Sequence, residues 1–330
     1  MLDYESAVAK LHKLAPEVLA HWRIAPRELR LVKYRENAVF RVETEDGVSY
    51  ALRIHRLGYH SDEALHSELR WMNALQESGV DVPRLVPAVD GRLFVTSDRL
   101  QVDLFEWIDG KPLGSSDSGV DGERTQVEDT YRTVGSIAAR LHNQATSWQA
   151  PAGFRRHSWD VEGLVGEQPF WGRFWELADL TPSERDLLMT AREYVRKGML
   201  SFAASVDASQ NYSLIHADFV PENLLLAEGK VRLLDFDDAG FGWHLFDLAT
   251  ALWFIQNDSH YEAARAALVA GYREYRALPD EVLANLPVFM MARGFTYLGW
   301  VHTRPGSREA RELTPHLVQL ACGFAKQCMS

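Results

Sequence analysis

Cysteine is scarce in this sequence of 330 residues, which contains two, Cys322 and Cys328. Two thiols provide neither a disulfide framework nor, by themselves, the four ligands of a structural zinc site, so both protein classes are excluded. Long hydrophobic runs are missing as well: the longest strongly apolar stretch, 248–255, is far shorter than the ~20 residues that cross a bilayer. Asp3 and Glu5 give the N-terminus the wrong charge for a signal peptide. We therefore expect a cytoplasmic protein without a membrane partner.

Basic charge is also in short supply. Lys and Arg number 35 against 46 Asp and Glu, so the formal net charge is −11. No long basic run offsets this balance, which argues against a nucleic acid partner and favours an amine or a metal-bound anion as ligand. The hydrophobic fraction of 46% is typical of a folded protein, and the length corresponds to about two domains of roughly 150 residues each. The composition leaves the oligomeric state open.

The first third of the chain has the pattern of a small β-rich lobe that contains one inserted helix. Apolar residues at helical spacing predict a leading helix over residues 4–22 and a second helix over 61–78. The pair Asp46-Gly47 is a strong hairpin signal between two β-branched runs. Alternating residues predict strands over 39–43, 48–54, 93–96 and 102–107. We expect these strands to form an antiparallel sheet.

A polar, glycine-rich break over residues 110–121 marks the predicted domain boundary. Residues 1–109 form the first predicted domain, and residues 110–330 form a second, mostly helical one. A second hairpin is the exception there, with short apolar runs at 224–226 and 231–234. Helical spacing predicts helices over 124–147, 183–205, 244–256, 260–276, 280–301 and 307–328.

The densest polar cluster of the sequence surrounds this second hairpin. Asp218 is followed five residues later by Asn223, and Asp235 ends the hairpin. Phosphoryl transfer needs a carboxylate that accepts the proton of the attacking hydroxyl, together with oxygen ligands for Mg²⁺. Each of these residues alone is ordinary in a turn or at a strand end, so only the combination is specific. His216 precedes the cluster, and we expect it to brace the loop that holds Asp218.

The segments His216–Asn223 and Leu234–Asp237 resemble the catalytic and metal-binding loops of the aminoglycoside phosphotransferase and choline kinase family. The resemblance covers about residues 30 to 300. It implies an α+β fold of two lobes similar to that of protein kinases, with a β-rich N-lobe, a hinge near residues 105–109 and a mostly helical C-lobe. It also implies ATP and Mg²⁺ as cofactors and a small molecule bearing a hydroxyl as phosphoryl acceptor.

The family's functional residues have counterparts in this sequence. The resemblance implies that Asp218 is the catalytic base and that Asn223 and Asp235 bind the metal. Asp237 stands two residues beyond Asp235 and is a candidate ligand of a second metal ion. Asp247 matches the family's aspartate that supports the catalytic loop from a helix, which makes its predicted role structural.

Glu68 lies in the apolar arc of the predicted helix over 61–78, near the angular positions of Leu65, Leu69 and Met72. A carboxylate in that position needs a cationic partner. The preceding strand offers Arg53, at the position where the family normally has a lysine that reaches the nucleotide phosphates. We expect Arg53, braced by Glu68, to act as the phosphate clamp, although arginine and lysine differ in shape and hydrogen bonding.

Two further segments are assigned to the nucleotide by the resemblance. No glycine-rich loop precedes the first hairpin, so the backbone around Asn37 and Ala38 is the candidate phosphate contact. The residues Glu106, Trp107 and Ile108 match the hinge on which adenine lies. Recognition there uses main-chain groups, so these side chains do not distinguish ATP from GTP.

The acceptor side is indicated by aromatic and acidic residues. Aromatic faces beside carboxylates suit an ammonium group through cation–π and Coulomb attraction. The candidates are Trp159, Asp160, Asp238 and Trp300. Helix packing is the competing interpretation for the aromatic side chains.

The sequence therefore predicts an ATP-dependent phosphotransferase whose acceptor is the hydroxyl of a small, amine-bearing molecule such as an amino alcohol, a hydroxy amino acid or an aminoglycoside. Three alternatives stay open. A Ser/Thr protein kinase of the bacterial stress-response type shares the resemblance. The arginine at position 53 also permits a nucleotide-binding pseudokinase, and clustered aspartates occur in metal-dependent hydrolases. The intact set Asp218, Asn223 and Asp235 argues against the pseudokinase, and the lack of a metal-ligating histidine beside the aspartates argues against the hydrolase.

Overall fold

A computed structural model of the chain describes residues 4–34, 37–115, 119–120 and 123–329. The helices among them are α1 Tyr4–Leu19, α2 Asp62–Glu77, α3 Arg124–Ser147, α4 Val161–Val165, α5 Pro182–Ser205, α6 Ala208–Asn211, α7 His244–Trp253, α8 Tyr261–Arg273, α9 Asp280–Leu283, α10 Leu286–His302 and α11 Arg308–Met329. The strands are β1 Pro26–Tyr34, β2 Ala38–Thr44, β3 Ser49–Ile54, β4 Val95–Ser97, β5 Leu100–Glu106, β6 Lys111–Pro112, β7 Gly114–Ser115, β8 Gly119–Val120, β9 Ser158–Trp159, β10 Tyr212–Ile215, β11 Leu224–Ala227, β12 Lys230–Leu233 and β13 Gly240–Trp243.

Different parts of the chain form two compact units. The first consists of residues 1–111, 150–156 and 227–234, and the second of residues 112–149, 157–226 and 235–330. Two short segments that the sequence analysis gives to the second domain thus belong to the first unit, where ion pairs hold them. Arg156 contacts Glu68 with 3.3 Å between Nη1 and Oε2, and Arg232 contacts Asp81 with 3.4 Å between Nε and Oδ2.

The first unit is built on an antiparallel sheet in the order β1-β2-β3-β5-β4. Side chains of β2 alternate between buried and half-buried, as period-two patterning requires. Phe40 of β2 stands opposite Leu52 of β3, and both are fully buried. Leu14 and Val18 of α1 belong to the same hydrophobic cluster. The leading helix therefore contributes to the core of this sheet.

Strand β1 is missing from the sequence prediction. No residue of this strand is fully buried, and Val32 is 46% exposed. The strand occupies the edge of the sheet and pairs with β2, for example Leu31 opposite Phe40. Its core-facing side chains Leu29, Leu31 and Tyr34 are only partly buried and Val32 is an exposed apolar residue, so the usual signal for a strand is weak there.

Helix α2 carries Glu68 into the interior of the first unit. Ser61 caps its N-terminus by accepting a hydrogen bond from the Ala64 amide at 3.2 Å. Leu65, Leu69 and Glu68 are all buried on this helix. The burial agrees with the predicted angular position of Glu68 inside the apolar arc.

Glycine allows two helices of the second unit to approach closely. A Cβ atom on Gly135 of α3 would lie 2.0 Å from the Leu268 carbonyl oxygen, and one on Gly271 of α8 would lie 1.9 Å from the Arg132 carbonyl oxygen. Any larger residue at either position would force the backbones apart.

The single helix predicted over residues 280–301 is wrong, because the structure has two helices, α9 and α10, separated at residues 284–285. Pro287 stands in the first turn of α10, where its missing N–H costs nothing, whereas inside a continuous helix it would remove a hydrogen bond. Almost every residue of α10 is buried, so this helix forms the centre of the second unit.

A small sheet in the order β10-β13-β9 positions the polar cluster of the second unit. β10 ends at Ile215, directly before His216, and β13 ends at Trp243, directly before α7. The two strands pair antiparallel, with Tyr212 opposite Trp243. Within the described part of the chain, none of the helices has the length and apolarity that crossing a membrane requires.

Candidate active site

Asp247 on the first turn of α7 holds the loop that follows β10. Its Oδ1 accepts the Ala217 amide hydrogen at 2.6 Å, and its Oδ2 accepts the His216 amide hydrogen at 3.0 Å. Ala217 has a φ of +64°, the left-handed region that residues with a side chain rarely adopt. The paired hydrogen bonds to a fully buried carboxylate stabilise this backbone conformation.

A second row of buried residues supports Asp247. His142 of α3 lies with Nε2 3.0 Å from Asp247 Oδ2, and its Nδ1 is 2.9 Å from the Tyr272 hydroxyl. Burial lowers the pKa of His142 well below its usual value, with a smaller contribution from the charge of Arg276. A neutral His142 that donates from Nε2 and accepts the Tyr272 proton at Nδ1 satisfies both contacts. Burial raises the pKa of Asp247 to about 6 despite the backbone hydrogen bonds, so this carboxyl is ionised at neutral pH.

His216 braces the next residue of the loop. Its Nδ1 accepts a hydrogen bond from the Asp218 amide at 3.1 Å, and its ring packs edge-on against Phe219 and Phe236. His216 is fully buried. The side chain therefore orients the backbone of Asp218 and is not placed to exchange protons with solvent.

The Asp218 carboxylate is held at both oxygens. Asn223 donates from Nδ2 to Oδ2 at 2.6 Å, and Arg293 of α10 donates from Nη2 to Oδ1 at 2.6 Å. Burial raises the pKa of Asp218; the guanidinium of Arg293 opposes this rise, and the charges of Asp235 and Glu222 add to it. Fixed geometry and raised basicity are the properties that a general base requires.

Arg293 is a residue of this site that the sequence analysis missed. It is fully buried, and its Nη1 donates to the Ala217 carbonyl oxygen at 3.0 Å. Its Nη2 also donates to the Tyr297 hydroxyl at 2.6 Å, one helical turn further along α10. Although burial disfavours its charge, Tyr297 and Asp218 outweigh that effect and raise the pKa of Arg293. The available signal was its position as the single charged residue among the apolar residues 286–301.

The predicted metal ligands carry suitable donor atoms. Asn223 donates to Asp218 through its amide nitrogen. The amide oxygen Oδ1 of Asn223, on the other side of the amide group, takes no part in this hydrogen bond. Asp235 adopts a φ of +63° directly after the second hairpin, and its charge raises the pKa of Asp218, so the two carboxylates interact. Carboxylate and amide oxygens are ligands that Mg²⁺ prefers. Asp237 is buried in the same loop.

Arg53 is held rigidly in the first unit. Its Nε donates to Asp103 Oδ1 at 3.0 Å, and its Nη2 donates to Asp103 Oδ2 and Glu68 Oε1, both at 2.8 Å. His55 contacts the same Asp103 carboxylate with 2.8 Å between Nε2 and Oδ2. The charges of Arg53 and His55 outweigh the effect of burial and lower the pKa of Asp103. The expected Arg53–Glu68 contact is present, and Asp103 adds a bidentate partner that a lysine would not match.

Glu68 lies between two arginines of the first unit. Its Oε1 accepts from Arg53, and its Oε2 faces Nη1 of Arg156 at 3.3 Å. The Arg156 side chain is buried against α2, where it also donates to the Ala64 carbonyl oxygen at 3.2 Å. Arg156, together with Arg53, which Glu68 shares with Asp103, compensates a buried carboxylate that would otherwise be costly.

The other residues assigned to the nucleotide are arranged as follows. Asn37 is buried, and its Oδ1 accepts the Arg56 amide hydrogen at 3.1 Å, while the neighbouring Ala38 is buried in β2. Glu106 is exposed at the end of β5, and Ile108 is half-buried.

Trp107 is held by hydrogen bonds of both its main chain and its side chain. Its amide donates to the Ser49 carbonyl oxygen at 3.1 Å, and its indole N–H donates to Asp109 Oδ1 at 2.8 Å. The guanidinium of Arg41 lies 5.0 Å from the centre of the Trp107 ring. A rigid aromatic face therefore stands at the predicted hinge.

The four candidate acceptor residues occupy different environments in the second unit. Trp159 is fully buried and donates to the Asp238 carbonyl oxygen at 2.8 Å, which makes it a core residue that braces the Asp238 loop. Asp160 caps α4 by accepting the Gly163 amide hydrogen at 2.9 Å. Trp300 is half-buried, with the Arg304 guanidinium 4.9 Å from its ring centre. The first two thus have structural contacts that explain them without an acceptor.

Replacing Ala217 by glycine tests the left-handed backbone of the loop. Glycine relieves about 1–2 kcal/mol of strain, but it forfeits a buried methyl group worth about 0.8 kcal/mol and about 0.5–1 kcal/mol of chain entropy. We expect the free energy of unfolding of Ala217→Gly to stay within about 0.5 kcal/mol of wild type in urea titrations. The matched control is Ala266→Gly at an exposed position of α8, which should cost about 1 kcal/mol. Equal losses for the two variants would contradict the strain argument.

Comparison with known proteins places this geometry in a family. A model described as the phosphotransferase enzyme family matches residues 28–281. The chain is 34% identical to a microcompartment-associated aminopropanol kinase of known structure, with a TM-score of 0.83 and coverage of 96% of this chain and 97% of that one. A second solved structure, amicoumacin kinase hAmiN in complex with AMP-PNP, Ca²⁺ and Ami, gives a TM-score of 0.77 at 18% identity, covering 99% and 96% of the two chains.

Curated relatives agree with these matches. Amicoumacin kinase of Bacillus subtilis (strain 168) is 22% identical over 321 residues, which is 92% of this chain and 89% of that protein. Homoserine kinase of Sinorhizobium medicae (strain WSM419) is 26% identical over 284 residues, 82% of this chain and 79% of that protein. The kinase-like α+β fold and the enzyme class predicted from the resemblance are confirmed. The chain belongs to the phosphotransferase enzyme family.

Proposed function

We propose that this enzyme transfers the γ-phosphoryl group of ATP to the hydroxyl group of a small amino alcohol, with Mg²⁺ as the metal. The observation that carries the proposal is the Asp218 carboxylate, half-buried and fixed by Asn223 and Arg293 on a loop anchored by Asp247. A carboxylate held in this way is suited to accept a proton.

In the proposed reaction Asp218 accepts the proton of the acceptor hydroxyl while the oxygen of that hydroxyl attacks the γ-phosphorus. The bond between the γ-phosphorus and the bridging oxygen breaks, and ADP leaves with that oxygen. Asn223 and Asp235 are the residues we propose to hold Mg²⁺, which would neutralise charge on the phosphate oxygens. Asp237 is the candidate for a second metal ion. His216, Asp247 and the residues behind them keep the loop in place.

For the nucleotide, we propose contacts within the first unit. Arg53 is the candidate phosphate clamp, oriented by Glu68 and Asp103. The backbone at Asn37 and Ala38 is the second candidate for phosphate. The segment formed by Glu106, Trp107 and Ile108 is the candidate adenine contact, supported by the fixed orientation of the Trp107 ring.

Charge around Arg293 favours a cationic acceptor. The carboxylates of Asp218 and Asp238 both raise the pKa of Arg293, and Glu222 adds negative charge beside Asp218 and Tyr297. The carboxylates of Asp218, Asp238 and Glu222 therefore carry more negative charge than the single guanidinium of Arg293 neutralises in this part of the second unit. An ammonium group on the acceptor reduces that excess, whereas an added carboxylate, as in a hydroxy amino acid, increases it. Together with the 34% identity to an aminopropanol kinase, this favours amino alcohols over homoserine.

The test is an ATP-consumption assay with Mg²⁺ against a panel of acceptors. The panel contains 1-amino-2-propanol, homoserine, an aminoglycoside and a generic protein substrate, and mass spectrometry identifies the phosphorylated product. We expect a phosphorylated amino alcohol at the highest kcat/KM of the panel. A phosphorylated protein would support the Ser/Thr kinase alternative, ATP binding without any transfer would support the pseudokinase, and phosphate release independent of all acceptors would support a hydrolase.

A further inference from the structure

Helix α10 presents a tyrosine beside the catalytic carboxylate. Arg293 Nη2 lies 2.6 Å from Asp218 Oδ1 and 2.6 Å from the Tyr297 hydroxyl oxygen. These two oxygens are therefore no more than about 5.2 Å apart, and no hydrogen bond joins Asp218 and Tyr297 directly. An oxygen that makes hydrogen bonds of about 2.7 Å to both atoms fits a separation of roughly 4–5 Å.

Tyr297 has a proton to give at this position. Arg293 has no acceptor atom, so the phenol oxygen is the acceptor in their contact and the phenol O–H remains a donor. Burial raises the pKa of Tyr297 far above its usual value, so the phenol is neutral throughout the working range of pH. Tyr297 is half-buried, and among the residues that the structure describes its O–H has no protein acceptor, so this proton is available to a ligand.

The arrangement is anchored from the protein interior by Arg293, while Asp218 and Tyr297 are half-buried. Arg293 is fully buried and its guanidinium lies 4.2 Å from the centre of the Tyr297 ring and 5.1 Å from that of Trp171. The spacing of the two residues on α10 keeps both on one face of the helix. A hydrogen bond made in such a partly shielded site is stronger than one made in water.

We propose that the Tyr297 hydroxyl donates a hydrogen bond to the oxygen of the acceptor hydroxyl while that hydroxyl donates its proton to Asp218 Oδ1. Arg293 acts as the positioning residue that sets the spacing of the two oxygens. The acceptor hydroxyl then completes a ring of four groups, Arg293, Asp218, the hydroxyl and Tyr297. This inference rests on the proposed function, because it concerns the group that receives the phosphoryl.

The test compares Tyr297→Phe with wild type on two ligands that differ in the hydroxyl alone. One is 1-amino-2-propanol, the proposed acceptor, and the other is 1-aminopropane, used as a competitive inhibitor. We expect Tyr297→Phe to lower kcat/KM for the amino alcohol 10- to 100-fold and to leave the KM for ATP unchanged. The inhibition constant of 1-aminopropane should change less than twofold, because this ligand has no oxygen for the tyrosine to contact.

The matched control is Tyr131→Phe, which removes the hydroxyl of a buried tyrosine elsewhere in the second unit. Its hydroxyl donates to the Ala251 carbonyl oxygen at 3.3 Å, and its loss should leave both ligands unaffected. If Tyr297→Phe weakens both ligands equally, or neither, the tyrosine has only a packing role and the inference is wrong. If the wild-type enzyme phosphorylates no hydroxyl at all, the proposed function itself fails, and the role of Tyr297 fails with it.

Discussion

Asp218→Asn is expected to lower kcat by about 10²–10⁴-fold, the range for loss of a general base. The variant removes the group that accepts the hydroxyl proton. It also turns an amide NH₂ toward either Asn223 Nδ2 or Arg293 Nη2, because both neighbours are donors and the amide has a single acceptor oxygen. Our measurement is steady-state kinetics with the preferred acceptor, combined with calorimetric titration of ATP, whose affinity should change little.

The control for this variant is Asp207→Asn in the same unit. Asp207 caps α6 by accepting the Ser209 amide hydrogen at 2.9 Å, and asparagine caps a helix equally well. Activity of Asp207→Asn should therefore match wild type, and circular dichroism should show that both variants are folded. Retention of wild-type kcat by a folded Asp218→Asn would remove Asp218 from the proposed mechanism.

The sequence predicted the parts of the site in which chemistry and local pattern coincide. Glu68 was placed in the apolar arc of a helix by periodicity alone, and that position required a cation, which the structure provides in Arg53 and Arg156. Asp218, Asn223 and Asp235 stand close together in sequence around one hairpin, so their spacing predicted a shared site. The structure joins Asn223 to Asp218, and the chemical roles of the three residues stay predictions. The same argument applies to the strands β2 and β3, whose hairpin is marked by Asp46-Gly47.

The residues that were missed reach the site from distant elements. His142 is 105 residues away in sequence from Asp247, and Arg293 is 75 residues away from Asp218. No local sequence pattern indicates such contacts. Asp103 was hidden for a different reason. Strand β5 is buried over residues 101–105, on both of its faces, so alternation does not separate a core position from a solvent position.

Asp103→Asn is expected to lower the free energy of unfolding by about 3 kcal/mol, the lower end of the cost of breaking a buried ion pair. The Asp103 carboxylate is fully buried and accepts two hydrogen bonds from Arg53 in addition to the contact with His55. Asparagine offers one acceptor oxygen and sets an NH₂ group against these donors. The charge of Arg53 then depends on Glu68, which Arg156 also contacts.

Acid should reduce the difference in unfolding free energy between wild type and Asp103→Asn. The direction of this change follows from the direction of the pKa shift of Asp103. Because the pKa of Asp103 is lower in the folded protein than its usual value, the carboxylate stabilises the fold above that usual value. The contribution is lost as pH falls through the lowered pKa, so wild type and Asp103→Asn should converge in acid. Urea titrations at pH 7 and at decreasing pH, followed by tryptophan fluorescence, measure the difference.

The matched control for Asp103→Asn is Asp90→Asn. Asp90 lies in an exposed turn of the same unit, where its carboxylate pairs with Arg92 at 2.7 Å. Solvent screens such an ion pair, so the urea midpoint of Asp90→Asn should equal that of wild type at pH 7. If Asp103→Asn and Asp90→Asn unfold at the same urea concentration, the Arg53–Asp103 contact is not a source of stability. In that case the rigidity of Arg53 would have to come from Glu68 alone.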